Sequence, residues 1–345
     1  MRLAELTALF GQLDFPRARV EDRQRPPRDH VRAVEGAVRA GLSDDELPLE
    51  LLALEIERRD GAPDLAPFHV IPELGVRIAF AYWRPGRAAG AHEHSDWTVT
   101  AVLHNALDVA TFDWDATARA RRLVPKRLFS AEAGRVGHIH GPCIHDPRNP
   151  TPRWSISLHL FGPHDGPVIE EQVGPIEGLS PPAPRAAEPA PQAQEDTLSA
   201  ALAAHERECV RRAQIDALAR RGAPAAALLA RLHARGDAGT RRRAARALGR
   251  AEDLDARTAL ARRWPGVDLD VVSSAGRAEL LARCGERAQP LLRVEAWAAP
   301  ALRALASAVE LRPRDIPCLA EAEQLALARA LVDWGTFQPL EAQEN

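Results

Sequence analysis

The chain has 345 residues, with 45 basic and 48 acidic side chains and a formal net charge of −3. This near-balance excludes the strongly basic face of a nucleic-acid-binding protein, and no apolar run approaches the roughly 20 residues that cross a membrane. The four cysteines form no CxxC pair, so they predict neither a disulfide framework nor a zinc knuckle. Because the N-terminus also lacks the apolar core of a signal peptide, we expect a cytoplasmic protein.

The first 60 residues show the spacing of amphipathic helices, with apolar side chains every three or four residues. Two such series are Leu3, Leu6, Leu9 and Phe10, and then Val31, Val34 and Val38. A third series follows Pro48. The pattern predicts a helical segment over residues 1–60.

From residue 70 to residue 170 the sequence changes to short apolar stretches separated by turn residues. Several stretches alternate apolar and polar residues, as half-buried strands do. Many short strands with Gly and Pro turns predict a sandwich or a barrel. We therefore expect residues 1–174 to form one domain, with helices followed by a β-barrel.

Residues 175–196 are rich in Pro, Ala and charge, a composition that predicts a linker rather than a packed core. Beyond them, residues 197–345 contain repeated Ala/Leu/Arg segments separated by Gly or Pro. These segments predict an all-α domain, and HEAT-like helix pairs are one possible arrangement, although we find no fixed period. The expected fold class is α+β multidomain.

Two histidines form the central motif of the predicted barrel. His92 and His94 lie in the stretch GAHEHSDW. On a strand, residues i and i+2 project to the same side, so both imidazoles can reach one metal ion. His145, in GPCIHD, is placed to supply a third ligand from a strand that returns to the same end of the barrel. His138 and His140 form another HxH pair, and either one could be the third ligand instead.

Three neutral imidazoles suit Fe, Zn, Cu or Ni, and ligand type alone does not choose among these metals. Three protein ligands also leave coordination positions open for a substrate and dioxygen. Open positions are the arrangement that catalysis at a metal needs. The pattern therefore predicts a catalytic metal site.

This region resembles the cysteine dioxygenase family of thiol dioxygenases, within the cupin superfamily. The likeness is carried by WRPGRAAGAHEHSDW at residues 83–97, by FDW at residues 112–114 and by IHDPRNPTPRWSISLHLFGP at residues 144–163. It covers about residues 70–165 and does not extend to residues 197–345. The resemblance implies a cupin-type barrel that holds non-heme Fe(II) and uses O2 to oxidise a small thiol or a related small molecule or peptide.

By position, His92, His94 and His145 match the three iron ligands of that family. Ordinary cupins place a glutamate four or five residues after the second histidine, and those positions are Thr98 and Val99 here. The set is thus three histidines without a carboxylate, which favours the thiol dioxygenase branch.

Ser157 and His159 match the serine and histidine of the family's S-x-H-x-Y strand, which implies a catalytic function for both. Three departures make cysteine itself a doubtful substrate. The tyrosine of that strand is replaced by Phe161, which has no hydroxyl, and a cysteine that some members crosslink to it is replaced by Val99. The arginine that grips the substrate carboxylate has no evident match, and Arg77 is the nearest candidate. Loop arginines that could take its place are Arg84, Arg87, Arg148 and Arg153.

Four neighbouring residues each have two interpretations. Asp146 either accepts a hydrogen bond from an imidazole or is a solvated turn residue. Cys143 either approaches the metal or is a buried, inert thiol. Trp97 and Trp154 either wall the pocket or belong to the core.

The departures from the family leave two other functions open. The barrel could be a metal-stabilised binding or sensor module with a helical protein-interaction domain. Alternatively, residues 197–345 could recognise a peptide or protein and deliver it to the barrel, since helical stacks often present such surfaces. No nucleic-acid or membrane partner is expected.

Overall fold

The structure, a computed structural model, describes residues 1–13, 15, 25–94, 96–115, 122–141, 143–151, 153–163, 192–249, 259–262, 268–274, 276–284, 287–333 and 336–340. Contacts divide the chain into two units. The first comprises Met1–Ala183 and Asp216–Ala225, and the second comprises Pro184–Ile215 and Ala226–Asn345. All the candidate site residues belong to the first unit.

Three helices open the first unit, and their bounds are α1 Leu3–Gln12, α2 Arg28–Leu42 and α3 Glu46–Arg59. The apolar stripe of each helix is buried, as shown by Leu6, Val34 and Leu52, which are fully inaccessible. The three helices predicted from the apolar spacing are therefore present. An amphipathic helix is stabilised by burial of its apolar face, and each of these helices buries that face.

Nine strands follow among the described residues of this unit: β1 His69–Ile71, β2 Val76–Trp83, β3 His92–Glu93, β4 Thr98–His104, β5 Ala106–Trp114, β6 Leu123–Glu132, β7 Val136–Ile139, β8 Ile144–Arg148 and β9 Ser155–Phe161. They form two antiparallel sheets, of order β1-β2-β9-β4-β7 and β3-β8-β5-β6. The predicted closed barrel is therefore corrected to two open sheets over the described residues. The physical reason is that β3 is only two residues long and pairs with β8 alone, so it does not join the sheets.

The two faces of the five-stranded sheet differ in character. One face is apolar and meets the helices, since the Tyr82 hydroxyl donates to the Glu55 carboxylate of α3 and α2 contacts β4 and β7. The opposite face carries polar side chains on the central strands. There Thr100 of β4 is the register partner of His159 of β9. A polar sheet face of this kind is suited to a functional site rather than to a hydrophobic core.

The part of the chain after residue 191 contains both helices and strands. Its helices are α4 Gln192–Ala219, α5 Ala226–Arg235, α6 Ala238–Ala247, α7 Ala299–Ser307 and α8 Glu321–Asp333. Its strands are β10 Leu260–Arg262, β11 Asp268–Ser274, β12 Arg277–Cys284, β13 Arg287–Glu295, β14 Glu310–Leu311 and β15 Phe337–Pro339. The strands form two three-stranded antiparallel sheets, β14-β10-β15 and β11-β12-β13.

The prediction of an all-α region over residues 197–345 is corrected by these strands. Ala, Leu and Arg favour helices, but strand β12 buries Ala278, Leu280 and Ala282 completely on one face, whereas Leu281 between them is 8% exposed. Gly276 has a φ of 78°, a conformation that suits glycine in the tight turn between β11 and β12. Alternating burial and the turn therefore override residue propensity here.

The predicted linker, residues 175–196, lies outside the described residues as far as residue 191. Its last five residues belong to α4, which begins at Gln192. Among the described helices, none combines the length and the apolar character that crossing a membrane requires.

Candidate metal centre

Three histidines converge at one edge of the four-stranded sheet. His92 of β3 is the register partner of His145 of β8, so the two imidazoles project from the same face. His94 follows β3 directly. One ligand atom of each imidazole lies within 4.8 Å of the other two, and the ring centroids are 4.4–5.2 Å apart. Across the described residues, this is the one cluster of three or more His, Cys, Asp or Glu side chains that could hold a metal.

Backbone carbonyls orient two of the three rings. His92 Nδ1 lies 2.9 Å from the Gly90 carbonyl oxygen, and His145 Nδ1 lies 3.1 Å from the Cys143 carbonyl oxygen. A carbonyl only accepts, so each Nδ1 carries the proton and leaves the Nε2 lone pair for a metal. His94 Nδ1 lies 3.4 Å from the Thr98 hydroxyl.

The donor set fits a first-row divalent cation. It consists of three imidazoles, two of them in the tautomer that presents Nε2. Thr98 is buried beside His94 and presents a hydroxyl to it. A site with three neutral nitrogen ligands leaves further coordination positions open.

Asp146 supports the site through the backbone. Its Oδ1 accepts a hydrogen bond from the Gly90 N–H at 2.9 Å, and the Gly90 carbonyl in turn accepts from His92. Gly90 has a φ of 86°, which favours glycine. Burial raises the pKa of the Asp146 carboxyl, and the bond from Gly90 opposes that shift. Of the two interpretations of Asp146, the structure supports ordering of an imidazole, although indirectly through Gly90.

Ser157 and His159 form a buried pair on β9. Ser157 Oγ lies 2.8 Å from His159 Nε2, and His159 Nδ1 lies 3.2 Å from the Thr100 hydroxyl. The Trp83 indole N–H donates to Ser157 Oγ at 2.8 Å. Because indole can only donate, the serine oxygen accepts from Trp83 and its own proton can be donated to His159.

Phe161 lies between this pair and the histidine cluster. Its ring stacks on His159 with centroids 5.3 Å apart and on His94 with centroids 5.9 Å apart. The guanidinium carbon of Arg77, its register partner on β2, lies 5.8 Å from the ring centroid. Arg77, the predicted nearest candidate for a substrate anchor, therefore borders the site through Phe161.

The other predicted residues lie elsewhere or act differently. Trp97 is a core residue, because it is buried against Phe10 and Phe15 of the N-terminal region. His138 contacts Glu35 of α2, and His140 Nε2 lies 2.7 Å from the Pro26 carbonyl oxygen, so neither belongs to the histidine cluster. Trp154 is half-buried after β8. The loop arginines are placed as follows: Arg84 and Arg87 between β2 and β3, Arg148 in β8 and Arg153 before β9.

The sequence alone did not predict the contacts that four residues make with the site, namely Trp83, Gly90, Thr98 and Thr100. The two threonines have a detectable signal, because they alternate on one strand that follows the HxH motif directly. Gly90 also precedes the motif in the same loop. The bond from Trp83 to Ser157 joins residues 74 positions apart and depends on tertiary pairing.

Neither a protein-family model nor a curated protein sequence matches the chain. Solved structures match a part of it. An oxalate oxidase is 19% identical over 27% of this chain and 45% of that chain, with a TM-score of 0.22. Lactobacillus farciminis oxalate decarboxylase, in a formate complex, is 20% identical over 30% of each chain, with a TM-score of 0.24. A hydroquinone 1,2-dioxygenase in complex with Cd2+ and 4-hydroxybenzonitrile is 9% identical over 28% of this chain and 63% of that chain, with a TM-score of 0.24.

The chain thus spans less than two thirds of each of these proteins, and each likeness is confined to less than a third of this chain. The geometry of the chain itself defines a class: two open antiparallel sheets that bring three imidazoles together as a candidate mononuclear metal centre.

Proposed function

We propose that this protein is an oxygenase of the cysteine dioxygenase-like type, with Fe(II) on His92, His94 and His145, that uses O2 to oxidise a thiol or a related substrate. The observation that supports it is the convergence of three imidazoles, two of them fixed by backbone carbonyls with Nε2 left for a metal. Fe(II) bound there supplies open positions for a sulfur ligand and dioxygen, and it activates the latter.

The proposed overall reaction converts R–SH and O2 into R–SO2H. Both oxygen atoms are transferred to sulfur, which loses four electrons while O2 gains four, so no further reductant is required. The S–H bond breaks, and its proton is recovered on the sulfinic acid or released from it. The protein therefore has to orient the thiol, hold a proton during the reaction and limit the access of water.

In this proposal His159 would hold that proton at Nε2, and the Ser157 hydroxyl would relay it, giving its own proton to His159 as it accepts another at Oγ. The hydrogen bond from Trp83 to Ser157 and the contact of Thr100 with His159 Nδ1 favour one direction for the hydrogen bond between the pair, from the Ser157 hydroxyl to His159 Nε2. Phe161 separates it from His94 by one ring and has no hydroxyl, so proton transfer has to pass through a bound water or the substrate itself.

A second candidate function is a metal-stabilised binding or sensor module. The observation that favours it is the same Phe161 ring, which leaves the Ser157–His159 pair without a hydroxyl directed at the metal centre. The two candidates differ in one measurable property, because only the oxygenase consumes O2.

The test combines metal analysis of anaerobically purified protein with an oxygen electrode and a panel of thiols. We expect stoichiometric Fe(II) and thiol-dependent O2 uptake, and a loss of both of at least about tenfold in His92→Ala. His138→Gln is the matched control, since His138 contacts Glu35 and lies outside the cluster. Stoichiometric iron in His92→Ala would contradict the ligand assignment, and iron without O2 uptake would favour the binding module.

A further inference from the structure

The second HxH pair of the sequence, His138 and His140, lies outside the histidine cluster and takes no part in the proposed reaction. His138 belongs to β7, whereas His140 is the first residue of the connection from β7 to β8. This connection joins the two sheets, because β7 is an edge strand of the five-stranded sheet and β8 belongs to the four-stranded sheet. His140 thus stands where the chain crosses from one sheet to the strand that carries His145.

The same connection orients one of the three candidate metal ligands. Its last residue is Cys143, and the Cys143 carbonyl oxygen lies 3.1 Å from His145 Nδ1. This contact holds the imidazole in the tautomer that presents Nε2, so displacement of the carbonyl would turn the ring away from the metal. Cys143 precedes the paired residues of β8, which begin at Ile144. The position of its carbonyl therefore depends on what the connection packs against.

The segment that precedes α2 packs against this connection. His140 Nε2 lies 2.7 Å from the Pro26 carbonyl oxygen. Because a carbonyl only accepts, Nε2 carries the proton and donates it to this hydrogen bond. Pro26 and Gly141 are both buried, and a Cβ atom on Gly141 would lie 3.4 Å from Arg25 Nη1. Two successive residues of the segment thus lie against two successive residues of the connection.

We infer that His140 is a positioning residue, which acts on the metal centre through the Cys143 carbonyl and does not touch the metal. By donating to Pro26, His140 holds the connection against the segment before α2. The held connection then keeps the Cys143 carbonyl where it can accept from His145. The inference rests on the ligand assignment of the proposed function and is independent of the reaction.

His138 provides the contrast, although it belongs to the same HxH pair. It contacts Glu35 of α2, and its backbone is fixed within β7 by pairing with Val99 of β4. Loss of the His138 side chain therefore removes a contact with the N-terminal helices but leaves the connection between the sheets in place. A comparison of the two histidines separates positioning of the ligand from general stabilisation of the fold.

The direct test is a Zn(II) titration of the whole chain in competition with a chelator. We expect His140→Ala to weaken Zn(II) affinity by about tenfold, in the range found for groups that orient a ligand. His140→Gln should restore the affinity to within about twofold of the wild type, because its amide N–H can still donate to the Pro26 carbonyl. The visible spectrum of the Co(II)-loaded protein, which reports coordination geometry, should change in His140→Ala and not in His140→Gln.

His138→Ala is the matched control, and it should bind Zn(II) as the wild type does. Urea denaturation of the metal-free proteins shows whether the two alanine variants are equally stable. If His140→Ala does not fold, His140→Leu, which also has no donor but keeps more volume, takes its place, with His138→Leu as its control. Wild-type affinity in the His140 variant, or the same loss in the His138 variant, would overturn the inference.

His145→Ala and oxygen uptake separate this inference from the proposed function. If His145→Ala loses affinity while His140→Ala keeps it, the inference fails and the ligand assignment stands. If the affinities change as expected but the Fe(II)-loaded protein oxidises no thiol, the proposed reaction fails and the inference stands. Wild-type affinity in His145→Ala would overturn both.

Discussion

The carboxylate of Asp146 accepts a hydrogen bond from the backbone N–H of Gly90, with 2.9 Å between Oδ1 and the nitrogen. The Gly90 carbonyl then accepts a hydrogen bond from His92 Nδ1, and Asp146 itself follows His145 in β8. One side chain thus links the segments that present two of the three imidazoles. Contacts of this kind orient ligands even though they never touch the metal.

We predict that Asp146→Ala weakens metal affinity by about 10- to 100-fold, the usual cost of removing a group that orients a ligand. Asp146→Asn should retain most of the affinity, because its amide oxygen can still accept from the Gly90 N–H. The measurement is a Co(II) or Zn(II) titration in competition with a chelator. Wild-type affinity in Asp146→Ala, in a protein that remains folded by circular dichroism, would show that the Gly90 loop needs no support.

Much of the candidate site follows from residue spacing. His92 and His94 could be placed on one side of a strand because side chains alternate along it. Residue spacing alone left His138, His140 and His145 open as the third ligand, and the family resemblance favoured His145. In the structure His145 lies with His92 and His94, whereas His138 and His140 lie outside that cluster. The Gly90 bond to Asp146 spans 56 residues and depends on how the Gly90 loop meets strand β8, so no local pattern contains it.

The fold was predictable where residue pattern and propensity agree. The three N-terminal helices have apolar stripes of helical period and helix-forming residues between them. In β12 the two disagree, because RAELLARC is rich in helix formers yet its most completely buried residues, Ala278, Leu280 and Ala282, lie two positions apart. Its pairing with β11 and β13 decides the outcome, and such long-range pairing is invisible in a single short segment.

Glu55 gives the first unit a pH-dependent stability. Burial raises its pKa from 4.5 to about 7, against the opposing effects of Arg59 and of the Tyr82 hydroxyl 3.4 Å from Oε1. The folded state therefore holds the proton more tightly than the unfolded state. Its contribution is fully present below the unfolded pKa and is lost as pH rises through about 7.

We predict that, relative to Glu55→Gln, the free energy of unfolding of the wild type falls by up to about 3 kcal/mol between pH 4.5 and 7, and changes little above that. Urea denaturation at a series of pH values measures it. Glu57→Gln, on the exposed side of the same helix, is the control and should follow the wild type. Parallel pH curves for the wild type and Glu55→Gln would mean that Glu55 ionises normally.

Gly162 is held in a space without room for a side chain. A Cβ atom there would collide with the Asp96 carboxylate and lie 2.9 Å from Trp97 Nε1, and both of these residues are buried. We predict that Gly162→Ala lowers the free energy of unfolding by about 1–3 kcal/mol, as overpacking does. Metal affinity should fall with it, since Asp96 lies two residues after His94.

Gly137→Ala is the matched control, because a Cβ at this β7 position meets nothing within 4 Å. It should leave thermal stability and metal affinity close to those of the wild type. A Gly162→Ala protein as stable as Gly137→Ala would show that Asp96 and Trp97 move aside at little cost.

Substitution of Phe161 tests the proposed chemistry most directly. Its ring lies against His94 and His159, so Phe161→Tyr introduces a proton donor beside the Ser157–His159 pair while preserving these contacts. We expect kcat for thiol oxidation to rise by at least about tenfold, a small share of the roughly 10²–10⁴-fold that a positioned acid or base contributes. Phe161→Leu, which keeps an apolar side chain but loses the ring, should show no increase. Both variants should bind metal stoichiometrically, because Phe161 is not a ligand. Equal kcat in the metal-loaded Tyr variant and the wild type would mean that the proton takes a route that does not involve this face of β9.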